Sequence, residues 1–366
     1  MAHLISASRR SLTLSLVVTA ALVAFTTPDF ASSVAAANAR VTLPEFDAPS
    51  GLAVTGTHLW VANAGDSTLT EVDTTTGARL VQLGYGSQVF GFSHPLAIIA
   101  LGTDLFVANA NDTVSEVNAI DRGPVRVIGG TTFRISHPVA LATVGNTVLV
   151  LNSGPSGSIT EFSASSGAFV MNIRGAAYAF DDPAALAVTG THVFVADKGN
   201  DSVTEVDATT GKLVRVIARQ GLSAPDGVAI GGGSVWVADQ ATSGVTAISA
   251  VSGRVLANRT DANASYGFWH PTVMASTGAN IYVATPLGTS PMVTRMSSTT
   301  AKPYWFMCNT NGPYYFSLLS AFAVAGPDLW VASRSGANSK TPAAATGSLT
   351  ELNLMSGALV RTVPAP

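Results

Sequence analysis

The 366-residue chain contains one cysteine, Cys308, so no disulfide can form within it and the fold must be held by packing. A lone cysteine of this kind reads as a small buried hydrophobe. Charge is scarce too: 11% of residues are charged against 47% hydrophobic, and the net charge is −3. A nucleic-acid binder needs a basic stripe, because phosphate neutralisation supplies most of its affinity. No such stripe is visible, which argues against nucleic acid as a partner. After residue 40 no apolar run approaches the ~18 residues of a spanning helix, so no membrane span is expected in the mature chain. A helical period is also missing there, which excludes helical folds.

The N-terminus differs in kind. His3, Arg9 and Arg10 precede an apolar stretch over 12–25, and small residues follow through Ser32, Ala35, Ala37 and Ala39. This is the three-part layout of a secretory signal, so 1–39 reads as a signal peptide cleaved between Ala35 and Arg40. Ser8-Arg9-Arg10-Ser11-Leu12 also fits the twin-arginine pattern, leaving twin-arginine and general secretory export both open. The mature chain would be secreted or held in the cell envelope or periplasm. Losing 1–39 removes two arginines and one aspartate and shifts the net charge to −4.

From Phe46 onward one unit of about 42–48 residues recurs seven times, a period typical of radial or solenoid repeats. Its landmark, an apolar or aromatic residue followed in most copies by Val-Ala-Asn or Val-Ala-Asp, recurs at Trp60, Phe106, Leu149, Phe194, Trp236, Tyr282 and Trp330. In the first unit, alternation predicts strands over 51–54, 58–62, 68–72 and 78–83. Gly-bearing turns such as Thr55-Gly56-Thr57 and Thr74-Thr75-Thr76-Gly77 separate them. Four short antiparallel strands per unit make a blade, so residues 40–366 read as an all-β, seven-bladed β-propeller. The ring closes either at a blade boundary or through an extra outer strand from 40–43. Glu71, Glu116, Glu161, Glu205 and Glu351 recur mid-way along the third strand. Alternation turns them away from the Leu/Val face, so they read as solvated.

The stretch from Val61 to Gly77 resembles the strand–turn–strand unit of the YVTN repeat, and Phe46-x-x-Pro49-x-x-Leu52-Ala53 resembles the lead-in of the NHL repeat. The resemblance spans 46–363 and points to bacterial exported seven-bladed propellers, with a more distant likeness to streptogramin-lyase-like propellers. It implies architecture; such repeats serve adhesion, sensing, scaffolding and a few enzymes alike. Lactonase-type and lyase-type relatives would need acidic ligands around a divalent metal. Here Asp182 is the one acidic residue at the position that varies around the ring.

That position precedes the lead-in proline: Ala48, His94, His137, Asp182, Ala224, His270 and, where Leu319 replaces proline, Leu318. If the lead-ins converge on the axis, His94, His137, Asp182 and His270 form a ring of ligand-type side chains, or else polar rim residues satisfied by loop carbonyls and water. Aromatics gather in the same segments. Phe46, Phe92, Ile135, Phe180, Leu222 and Phe268, three before the proline, read as wedges between blades. Tyr85, Phe90, Tyr178, Tyr266, Trp269, Tyr314 and Tyr315 remain as contact residues, since Tyr and Trp pair an apolar plane with a polar tip. The long connections over 285–292 and 333–348 would extend this face.

The expected function is binding of a protein, a cell-wall polymer or a small ligand on the variable face and axial pocket, through His94, His137, Asp182, His270, Trp269, Tyr315, Tyr178 and Tyr85, with no cofactor. The alternative is a metal-assisted lyase or hydrolase centred on the His/Asp ring, which would require a divalent metal. A purely structural envelope protein is the third reading.

Overall fold

Alternating side chains and Gly-bearing turns produce seven sheets of four antiparallel strands, each strand paired with the next in sequence. The structure, a computed structural model, describes residues 46–363 apart from 219, 261–266, 287–290, 310–313, 315 and 335–346. The sheets occupy 49–83, 95–128, 138–173, 183–218, 225–260, 273–308 and 319–363, here blades 1 to 7. Among the described residues the helical elements are two 3₁₀ turns, Ala176–Tyr178 and Lys198–Asn200. No helix there is long and apolar enough to cross a membrane.

The first strand of each blade is innermost and lies beside those of its neighbours, with Leu319–Ala325 against Pro49–Thr55 completing the circle. Blades 7 and 1 are tied where they meet: Gly347 N–H donates to Phe46 O at 2.6 Å, and Ser320 Oγ donates to Pro49 O at 2.6 Å. Residues 40–43, considered as an extra closing strand, lie outside the described residues. Apolar clusters fill the seams between consecutive blades. The wedge residues sit in them as expected, and Phe316 takes the same place in blade 7. Burying each aromatic wedge stabilises the seam by about 1.5–3 kcal/mol. Cys308 is buried.

The Val-Ala-Asn/Asp landmark locks each blade internally. Asn63 Nδ2 donates to the hydroxyls of Thr68 and Thr70, and Asn109 and Asn152 repeat the pattern on Thr113, Ser115, Ser158 and Thr160. Their amide oxygens accept the backbone N–H of Ser93 and Ser136 in the lead-ins. Where Asp replaces Asn, the polarity reverses: Thr204 Oγ1 donates to Asp197 and Thr246 Oγ1 to Asp239. Burial pushes the Asp197 carboxyl up to about 8 and that of Asp239 up to about 7.

The five third-strand glutamates correct the expectation that they are solvated: each is no more than 2% exposed. They lie on the same face of the sheet as the bulky second-strand residue, pressed against the next blade, and cations hold four of the five there. Arg126, Arg215 and Arg361, directly across on the fourth strand, place Nε 2.9, 2.5 and 2.5 Å from Glu116, Glu205 and Glu351. In blade 1 the cross-strand residue is Val81, and Arg122 reaches back from blade 2 to grip Glu71 with Nε at 2.7 Å. The same arginines then span the seams. Arg126, Arg215 and Arg361 donate to the carbonyls of Ser165, Val251 and Thr75 in the next blade's last turn. Arg295, which replaces the glutamate in blade 6, donates to Met355 O at 2.6 Å. Gly167 shows why the turn ends in glycine: its φ is +71°, and a Cβ there would lie 2.7 Å from Arg126 Nη1. The repeated carboxylate is therefore part of an inter-blade girdle on the short-turn face.

Candidate functional site

The short-turn face is uniform, so chemistry that differs from blade to blade is confined to the lead-ins and second-to-third connections opposite. All seven pre-proline positions adopt a left-handed backbone, with φ between +35° and +51°. A residue before proline normally avoids helical regions, and His, Asp and Asn tolerate positive φ better than most side chains. Backbone geometry thus accounts for part of the histidine and aspartate enrichment at this position. Leu318 keeps the conformation without a following proline, so the lead-in itself imposes it.

The strained peptide is capped across the seam. His94 N–H donates to Ser67 Oγ at 3.0 Å, His137 N–H to Asp112 Oδ1 at 2.7 Å, Ala224 N–H to Asp201 Oδ1 at 2.7 Å and His270 N–H to Ser243 Oγ at 3.3 Å. Each acceptor belongs to the preceding blade and itself has positive φ. Blade 3 places Gly157 where blades 1, 2, 4 and 5 carry Ser67, Asp112, Asp201 and Ser243. Asp182 N–H therefore bonds Gly154 O instead, and Ser153 Oγ donates to Asp182 Oδ1 at 2.6 Å.

His94, His137 and Asp182 are exposed and His270 is half-buried. No hydrogen bond or ion pair joins any two of them. His137 Nδ1 contacts Ser136 Oγ, and His270 lies edge-on to Trp269. Among the described residues no three His, Cys, Asp or Glu side chains are close enough to hold a metal ion. The four ring residues also stand outside the lining of the axial shaft.

That shaft, about 450 Å³, is walled by apolar side chains such as Leu96, Val139 and Leu141. Its charged lining residues are Asp226 and Arg334. Lys198 Nζ lies 3.4 Å from Asp226, and Gln240 Nε2 donates to it at 3.2 Å. Burial raises the Asp226 carboxyl, Lys198 opposes the rise and nearby Asp182 adds to it. Sequence reasoning passed over Asp226; the available signal was an aspartate directly after the lead-in proline, where other blades carry Ser, Leu, Val, Ala or Thr.

Several aromatics prove architectural. Phe90 stacks on Phe92, Tyr178 on Phe180 and Tyr314 on Phe316, with ring centroids 5.4–5.6 Å apart. The hydroxyls of Tyr178 and Tyr314 donate to Gly211 O and Gly357 O in the next blade. Tyr85 and Trp269 project into solvent, at 67% and 59% exposure. Tyr266 and Tyr315 lie outside the described residues, as do most of the 285–292 and 333–348 connections.

A second opening, about 650 Å³, cuts into the seam between blades 3 and 4 on this face. Pro155, Ser156 and Gly157 form one wall and Gly175, Ala176 and Ala179 the other, with Phe180, Arg174, Asp181 and Asn200 completing it. Gly175 has φ 127° and ψ 163°, a conformation essentially reserved for glycine, and it turns the chain into the 3₁₀ turn.

The sequence matches no known family model, and no curated protein matches it. Solved structures do. The computationally designed Ika8 protein is 16% identical with a TM-score of 0.62, covering 88% of this chain and 89% of that one. Kuenenia stuttgartiensis hydrazine synthase is 16% identical with a TM-score of 0.61, covering 90% and 98%. BamB from Moraxella catarrhalis is 16% identical with a TM-score of 0.52, covering 79% and 83%. Likeness at this identity shows the propeller fold alone.

Proposed function

We propose that the chain is an exported binding propeller of the YVTN/NHL kind, which takes a surface protein, an envelope polymer or a small ligand on its lead-in face and axial shaft. The observation carrying this reading is the contrast between faces. On the short-turn face the repeated polar groups are mostly committed to the girdle. The lead-in face keeps Trp269, Tyr85, His94 and His137 exposed, and the blade 3–4 cleft opens on it. Rigid scaffolds with variable loops on one face commonly bind there. The signal-like layout of 1–39 supports export to the envelope or beyond. No observation favours the metal-assisted lyase or hydrolase, because the His/Asp ring does not gather. Cell fractionation with N-terminal sequencing tests export: a mature protein starting between residues 36 and 40 outside the cytoplasm is expected, and an intact cytoplasmic chain contradicts it. Sedimentation with isolated envelope fractions tests binding. Trp269→Ala with Tyr85→Ala should weaken co-sedimentation at least tenfold without changing Tm, and undiminished co-sedimentation would contradict the reading.

A further inference from the structure

The seam between blades 3 and 4 departs from the repeat at both ends. On the lead-in face Gly157 lacks the side-chain cap that Ser67, Asp112, Asp201 and Ser243 place on the pre-proline N–H. On the short-turn face Glu161 has Met171 across from it where blades 2, 4 and 7 have arginine. The cleft lies in this interrupted seam, and small residues keep it open.

Two opposite charges line it without pairing. Arg174 and Asp181 form no ion pair with each other or with any other described residue. Every other fourth-strand or turn arginine described in the girdle is engaged by a glutamate or a carbonyl. Arg174 sits just past the end of Phe169–Ile173, beyond reach of the girdle, and Asp181 sits on the opposite lip beside Gly199. A fixed guanidinium is suited to bidentate carboxylate recognition, and a free carboxylate is suited to an ammonium. Between them Gly175, Ala176 and Ala179 present main chain that larger side chains would otherwise cover. The volume falls in the usual range for small-ligand sites, about 300–1,000 Å³.

We propose that this cleft binds a short peptide with free ends, Arg174 taking the terminal carboxylate, Asp181 the terminal ammonium, and the bare main chain of the walls hydrogen-bonding the peptide groups between. The charge balance selects this occupant: a ligand with an anion alone would meet the Asp181 carboxylate, and one with a cation alone would meet Arg174. This rests on the reading of the lead-in face as the binding face and names one ligand class for it.

The test is calorimetric titration of the full-length protein with trialanine, N-acetyl-trialanine and trialanine amide. Saturable heat is expected for free trialanine, with at least tenfold weaker binding when either end is blocked. Arg174→Gln should bind trialanine and its amide equally, and Asp181→Asn should bind trialanine and its N-acetyl form equally. Absence of saturable heat with trialanine on the wild type, or equal affinity for blocked and free peptides, overturns the proposal whatever the variants do. If that happens while co-sedimentation still depends on Trp269 and Tyr85, the peptide cleft alone is wrong. If that dependence is missing too, the binding-face reading falls with it.

Discussion

Glu161 and Met171 are cross-strand partners in blade 3, in the register that Glu116 and Arg126, Glu205 and Arg215, and Glu351 and Arg361 occupy in blades 2, 4 and 7. Glu161 is buried without a cation. Burial, with a further push from the Asp207 carboxylate in blade 4, raises its carboxyl to about 7. The folded chain keeps that proton through a range in which the unfolded chain has released it. Stability from this group is therefore complete below the ordinary glutamate value of 4.5 and lost as pH rises through 7. Met171→Arg should raise Tm at pH 8 and change it little at pH 5, and Glu161→Gln should flatten the curve between those values. Thermal melts at the two pH values decide it; equal shifts at both would contradict the assignment.

Asp197 and Asp239 follow the same sign, since burial raises both. Asn already fills the equivalent place in blades 1, 2 and 3 as Asn63, Asn109 and Asn152. Replacing both aspartates by Asn should stabilise the protein, by more at pH 8.5 than at pH 5.5. Asp197→Ala removes one of the two acceptors of Thr204 Oγ1, the other being Tyr178 O, and should destabilise by about 1 kcal/mol. Urea denaturation at the two pH values reads out both variants.

Removing one member of the girdle exposes its structural worth. Arg215→Met leaves Glu205 buried without its arginine and should cost about 3 kcal/mol. Glu205→Leu combined with Arg215→Met should recover most of that loss, because the carboxylate left with only His192 Nδ1 beside it, at 2.8 Å, has gone. Denaturant midpoints for the single and double variants measure the coupling.

At the pre-proline ring, backbone and function separate by choice of substitution. His137→Val forces a β-branched residue into φ of +50° and should cost about 1–2 kcal/mol. His137→Asn tolerates that backbone and should leave Tm unchanged. Asp112→Ala removes the cap on His137 N–H and should cost about 1 kcal/mol. If the imidazole also touches ligand, His137→Asn weakens co-sedimentation while leaving stability intact.

The architecture was legible because each unit states the same alternation, landmark and turns, so seven copies confirm one another. The wedge residues followed from position alone. The girdle was misread because a charge in an alternating strand normally faces water, and only the register shows Arg126, Arg215 and Arg361 standing opposite their glutamates. Whether the pre-proline histidines converge or stand on the rim stayed open because sequence names the position but not its backbone angle. That φ is positive and that no two of these side chains meet are properties of three-dimensional placement. The blade 3–4 cleft was missed for the complementary reason: two blades make it, and no single repeat carries it.

The central claim is that binding belongs to the lead-in face. Hydrogen–deuterium exchange on the protein, free and bound to the envelope fraction with which it sediments, tests this most directly. Slower exchange over 84–94, 129–137 and 174–182 is predicted, with the short turns at 73–78 and 249–254 unchanged. Protection confined to those short turns would contradict the account.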